Sequence, residues 1–207
     1  MSSKKKMPAS DGKQQEKPAS KSVILSRDAI KDLAGAAHYY GTDEDEWLLN
    51  DRRGEGAVIL GHGGNDRLVG GDSNDALDGG SGNDVLDGGF GHDDLVGGDG
   101  DDTLRGEEGD DMLTGGAGRD AFVFCGQGGS ENDIILDFNP TEDTIKLDAV
   151  REISYLSAEN RFVYVSANGA TSTISLHYLD APLTEDQIKQ CVTATDGYGN
   201  AVPVRMA

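Results

Sequence analysis

From Gly61 the chain keeps a nine-residue register through seven consecutive blocks, with no insertion or deletion: GHGGNDRLV, GGDSNDALD, GGSGNDVLD, GGFGHDDLV, GGDGDDTLR, GEEGDDMLT and GGAGRDAFV. The sixth place is aspartate in every block, at Asp66, Asp75, Asp84, Asp93, Asp102, Asp111 and Asp120. The eighth is always large and apolar, at Leu68, Leu77, Leu86, Leu95, Leu104, Leu113 and Phe122. A fixed period with one apolar residue per unit implies stacked units, none of which buries its apolar side chain alone. Places seven to nine have the outline of a very short strand: the central residue points inward, and neighbours such as Arg67, Asp78, Asp87, Asp94 and Arg105 point outward. Places one to six are left as a turn, where glycine reaches positive φ freely and directs backbone carbonyls toward one point.

Such a stack is short of cohesion. Apolar residues are 36% of the 207 and glycine takes 30 positions, so burial alone does not offset the entropy of ordering the backbone. The charge makes matters worse. Of a net −20, most lies in residues 41–123, where 22 acids face five arginines, while residues 1–21 carry six lysines. The acidic middle repels nucleic acid phosphates and anionic membranes and attracts cations, so no nucleic-acid partner is expected.

The blocks resemble the glycine-aspartate nonapeptides of the repeats-in-toxin (RTX) family, written G-G-x-G-x-D-x-U-x, a calcium-binding repeat. The resemblance implies an all-β fold, a right-handed parallel β-roll with two blocks per coil. One side then stacks Asp66, Asp84, Asp102 and Asp120, and the other Asp75, Asp93 and Asp111, with each ion between successive turns of one row. Calcium takes six to eight hard oxygen ligands from carboxylates and carbonyls, which aspartate and glycine-rich turns supply. The glycines assigned to the sites with these aspartates are Gly61, Gly63, Gly70, Gly79, Gly82, Gly88, Gly91, Gly97, Gly100, Gly109 and Gly118. Three gaps on one side and two on the other make about five calcium ions. Metal binding and folding then become one equilibrium. Three departures fall in the turns: His62 and Glu107 replace glycine at the second place and Ser73 at the fourth.

Around the regular blocks the chain divides by composition. Residues 1–21 read as a disordered basic tail, and residues 22–40 as an N-terminal capping helix, with Ser26 as N-cap and Ile30, Leu33, Ala34 and Ala37 at helical spacing. Residues 41–60 hold two degenerate blocks, with Glu46 in a sixth place, Ile59 in an eighth, and Asn50-Asp51 inserted between them. Residues 124–207 form a β-rich C-terminal cap. Its start resembles the D-x-I-x-D-F and D-x-I-x-L endings of RTX arrays at Asp133–Phe138 and Asp143–Leu147. RFVYVS and STISLHYL read as two strands around Asn168-Gly169, and APLTEDQIKQCV as a helix with Thr184 as N-cap and Gln187 at the capping-box place. Cys125 and Cys191 fit no metal or redox spacing and are expected to be unpaired structural thiols.

No catalytic set emerges, neither H-E-x-x-H nor G-x-S-x-G, and His38, His62, His92 and His177 form no local metal motif. An EF-hand counted from Asp99 places Leu104 where glycine is required. The chain reads as a binding protein and not an enzyme. There is neither a membrane-spanning apolar run nor a cleavable N-terminal signal, so export would use an uncleaved C-terminal signal of the kind RTX proteins present to type I export machinery. Three functions fit: an exported bacterial calcium-binding protein that folds with its ions; a non-catalytic accessory to a secreted enzyme, binding extracellular polysaccharide; or an adhesion protein at the cell surface. All three place the chain outside the cell.

Overall fold

The computed structural model describes residues 36–50, 53–126, 130–179 and 181–207. The basic tail and most of the expected N-terminal helix lie outside these residues.

Each block has one residue able to leave water, so the chain folds by turning that residue inward and repeating the step every nine positions. The strands are β1 (Ala37–Tyr40), β2 (Trp47–Leu49), β3 (Ala57–Leu60), β4 (Arg67–Asp72), β5 (Ala76–Ser81), β6 (Val85–Phe90), β7 (Asp94–Asp99), β8 (Thr103–Glu108), β9 (Met112–Ala117) and β10 (Ala121–Cys125). Successive blocks alternate between two sheets. β2, β4, β6, β8 and β10 pair in parallel in one, and β1, β3, β5, β7, β9 in the other. The register is one coil per 18 residues through the regular blocks: Leu68 pairs with Leu86, Leu86 with Leu104, Leu77 with Leu95 and Leu95 with Leu113. These leucines, with Phe122, are at most 1% exposed and form one continuous core. This is the parallel β-roll expected from the repeat.

Two details differ from expectation. Strands β4 to β9 run six residues, from the seventh place of one block to the third of the next, because paired extension continues through the glycines, as in Gly71 with Gly89. The first-place glycine therefore points inward beside the leucine. The second detail concerns the N-terminal end. Ala37–Tyr40, expected at the end of a helix, is instead strand β1: Ala37 and Tyr39 alternate inward, pair with Ala57 and Ile59, and add a further rung. Period-two burial against an existing edge prevails here over the weak helical spacing. The degenerate blocks also form rungs, burying Leu48 and Ile59 completely.

The C-terminal cap continues both sheets. β11 (Asn132–Ile135) stacks on β9, and β12 (Thr144–Asp148) on β10. Beyond β11 the sheet becomes β15 (Thr171–Leu176), β14 (Arg161–Ser166) and β13 (Val150–Leu156), paired antiparallel, and β17 (Val204–Met206) forms its edge; β16 (Val192–Ala194) ends the other sheet. Tyr155, Phe162, Tyr164, Ile174, Leu176, Leu183 and Ile188 are buried here and continue the apolar core of the roll into the cap. Helix α1 (Glu185–Cys191) starts with a complete capping box between Thr184 and Gln187. Cys125 and Cys191 form no disulfide, and burial pushes the Cys191 thiol up to about 11.

Candidate metal-binding rows

The sixth-place aspartates stand where each turn enters its strand and are 1–4% exposed, far more buried than an unpaired carboxylate tolerates. Their two oxygens have different surroundings. One belongs to a hydrogen-bond ladder: Asp66 N–H donates to Asp84 Oδ1 at 2.7 Å, Asp84 N–H to Asp102 Oδ1 at 2.7 Å, and Asp102 N–H to Asp120 Oδ1 at 2.9 Å. On the opposite side Asp75 N–H donates to Asp93 Oδ1 at 2.8 Å, and Asp93 N–H to Asp111 Oδ1 at 2.9 Å. The other oxygen, Oδ2, is buried without a hydrogen-bond partner in all seven.

Each Oδ2 fits against the first-place glycine of its own block. A Cβ on Gly70 would stand 2.5 Å from Asp75 Oδ2, and one on Gly61 2.5 Å from Asp66 Oδ2; Gly79, Gly88, Gly97, Gly106 and Gly115 are tighter still. Glycine there makes room for a carboxylate. The fourth-place glycines form a second column. A Cβ on Gly82, Gly100 or Gly118 would fall on the carbonyl oxygen of the turn one coil earlier, so a file of carbonyls accompanies the file of carboxylates. Gly91 and Gly109 stack in the same way on the other side. In the first block this place belongs to Gly64, at φ 101°, whereas Gly63 occupies the third place and bridges to Ser81. His62 and Glu107 both adopt φ 72° and Ser73 φ 154°, keeping the glycine conformation at a strain of order 1–3 kcal/mol each.

Burial raises the pKa of all seven carboxyls, and neighbouring carboxylates add to the effect in most. Asp66, Asp75 and Asp120 are raised to about 6. Asp93 and Asp102 reach about 7, each with acidic neighbours above and below in its row, and Asp84 and Asp111 move the same way. The folded arrangement therefore opposes its own ionisation and would gain from a compensating cation. Among the described residues no three acidic, histidine or cysteine side chains converge on one point. An ion in a row must therefore draw on backbone carbonyls as well as aspartates. Hard oxygen donors of both kinds, with a bare carboxylate oxygen in every block, fit calcium.

The rows extend past the nonapeptides. Asp111 N–H donates to Asp133 Oδ1 at 3.2 Å and Asp120 N–H to Asp143 Oδ1 at 3.0 Å, while Glu46 N–H enters the first row by donating to Asp66 Oδ1 at 2.8 Å. Asp133 and Asp143 were not among the site residues expected from sequence. Their signal was present, since Asp133-Ile134-Ile135 and Asp143-Thr144-Ile145 keep the sixth-to-eighth-place pattern. His92 stands outside the carboxylate file, its Nδ1 accepting from Asp110 N–H at 3.0 Å.

Fold and rows together define a parallel β-roll of nonapeptides that carries two files of buried carboxylates. Residues 60–95 and 87–122 match the RTX calcium-binding nonapeptide repeat, a unit of four copies, and this part of the chain consists of RTX calcium-binding repeats. No curated protein matches the chain. Among the described residues no helix is long and apolar enough to cross a membrane.

Proposed function

We propose that this is an exported calcium-binding protein whose roll, residues 41–123, folds only as its ions bind. About five ions lie between the bare carboxylates of the two rows, three among Asp66, Asp84, Asp102 and Asp120 and two among Asp75, Asp93 and Asp111. The observation that carries this reading is the set of seven buried Oδ2 atoms without a partner. A buried, unpaired carboxylate is a heavy penalty, and seven in one small roll outweigh what one leucine per nine residues contributes. Calcium, when bound, supplies the missing charge. The chain's own residues do the rest: backbone amides orient each Oδ1, first-place glycines admit each Oδ2, and stacked turns bring carbonyls alongside. In a calcium-poor compartment the same residues repel one another and the roll stays open, which suits passage through an export channel before folding outside.

The test is far-UV circular dichroism of the full chain through a cycle of EDTA and excess calcium chloride. The expected result is loss of most β signal on chelation and its recovery on adding calcium, with magnesium much less effective because it demands a tighter octahedron and keeps its waters. An unchanged β spectrum after exhaustive chelation would refute the coupling.

A further inference from the structure

The first row is bounded at both ends by carboxylates that differ from those between them. At the N-terminal end Glu46 occupies the sixth place of its block, but Thr42 satisfies both of its oxygens: Thr42 N–H donates to Oε2 at 2.7 Å and Thr42 Oγ to Oε1 at 2.8 Å. At the C-terminal end Asp143 takes Asp120 N–H on Oδ1 like any member of the row, but its Oδ2 accepts Asn139 N–H at 2.8 Å. The Asn139–Asp143 loop is itself closed, with Thr141 N–H and Oγ donating to Asn139 Oδ1 and Glu142 and Asp143 N–H to Asn139 O. Between these ends, Asp66, Asp84, Asp102 and Asp120 each keep a buried oxygen with no partner.

We infer that Glu46 and Asp143 are metal-free stops that set how many ions the first row holds. In the calcium reading above, each ion lies between two coils that both carry a bare carboxylate oxygen, and a carboxylate whose oxygens already accept backbone or hydroxyl hydrogens has less of its charge left to offer. The intervals from Glu46 to Asp66 and from Asp120 to Asp143 have one on a single coil only, so ions occupy the three intervals between the four bare aspartates. The stops keep the ladder polarity intact at no metal cost: Asp143 accepts the last buried amide of the row, and Glu46 supplies the first donor. The join between roll and cap is consequently made of protein hydrogen bonds on this side, and the cap, whose apolar side chains continue the core of the roll, does not depend on an ion there. This inference rests on the calcium reading above.

Ion counts by native mass spectrometry at saturating calcium chloride test it on the full-length wild type, Glu46→Gln, Asp143→Asn and Asp102→Asn. The amide replacements keep an oxygen acceptor for the ladder at Asp102 and Asp143 and for Thr42 at Glu46, and remove the charge an ion would need. Wild-type counts are expected for Glu46→Gln and Asp143→Asn, and fewer ions for Asp102→Asn; loss of an ion from either stop variant overturns the inference. A second measurement needs no variant. Hydrogen exchange of the wild type in EDTA is expected to leave residues 144–176 slow while 61–120 become fast, and equally fast exchange in both would overturn it. A wild type that binds no calcium at all would instead remove the calcium reading itself.

Discussion

Asp102 is the position where ladder and ion contributions can be pulled apart. It lies inside the first row, so in the proposed arrangement its Oδ2 would serve two intervals, whereas Asp66 at the row's start would serve one. Replacing Asp102 with alanine also strips the acceptor from Asp84 N–H, now bonded at 2.7 Å. A buried amide left without a partner costs about 1–3 kcal/mol. With free calcium at about 100 times Kd, each lost site removes about 2.7 kcal/mol of linked stability, so Asp102→Ala should lose about 6–8 kcal/mol in all. Asp102→Asn keeps an oxygen for Asp84 N–H and should lose only the ion part, about 5 kcal/mol, while Asp66→Ala forfeits a single interval. Isothermal titration with calcium on demetallated protein gives stoichiometry, and urea unfolding at fixed free calcium gives stability. Equal stoichiometric losses for Asp66→Ala and Asp102→Ala, or no loss for either, would refute ligand sharing between adjacent intervals.

Two further outcomes follow from the same carboxylates and leucines. Burial raises Asp102 and Asp93 to about 7 in the folded roll against about 3.9 unfolded, so stability without metal is fully present below about pH 4 and is lost as pH rises through 6–7. Protons should therefore stand in for calcium: the metal-free chain should show more β signal at pH 5 than at pH 8, and the gain in β signal on adding saturating calcium should shrink as pH falls, a pH-independent gain counting against the shift. Leu95→Ala, at a fully buried position between Leu77 and Leu113, should cost about 2.7–5 kcal/mol in calcium-saturated urea unfolding, while outward Arg105→Ala should stay within about 0.5; similar costs would contradict the inward and outward assignment.

The roll was legible because its period is rigid. The invariant aspartate and apolar places set the register, and two blocks per coil sorted the aspartates into the rows that the ladders join. Thr184 and Gln187 were legible for a similar reason, since a capping box is a local rule. Three features escaped. Ala37–Tyr40 follows the pattern of a rung, but its sixth place is alanine and its chemistry gave no warning. Asp133 and Asp143 continue the rows at separations of 22 and 23 residues in place of 18, so a search by fixed period passes over them although their Asp-x-Ile pattern is intact. The satisfied oxygens of Glu46 and Asp143 depend on Thr42 and Asn139, whose amides are aimed by folded loops and not by any motif.

The 18-residue translation between equivalent pairs has a consequence for how such chains can vary in length. Adding or deleting a whole coil shifts everything downstream along the axis without rotating it, so every later residue keeps its neighbours and the array gains or loses one rung per face. An indel of nine would exchange the two faces for the remainder of the roll and present the cap to the wrong sheet, so lineages of this architecture should grow and shrink by even numbers of blocks.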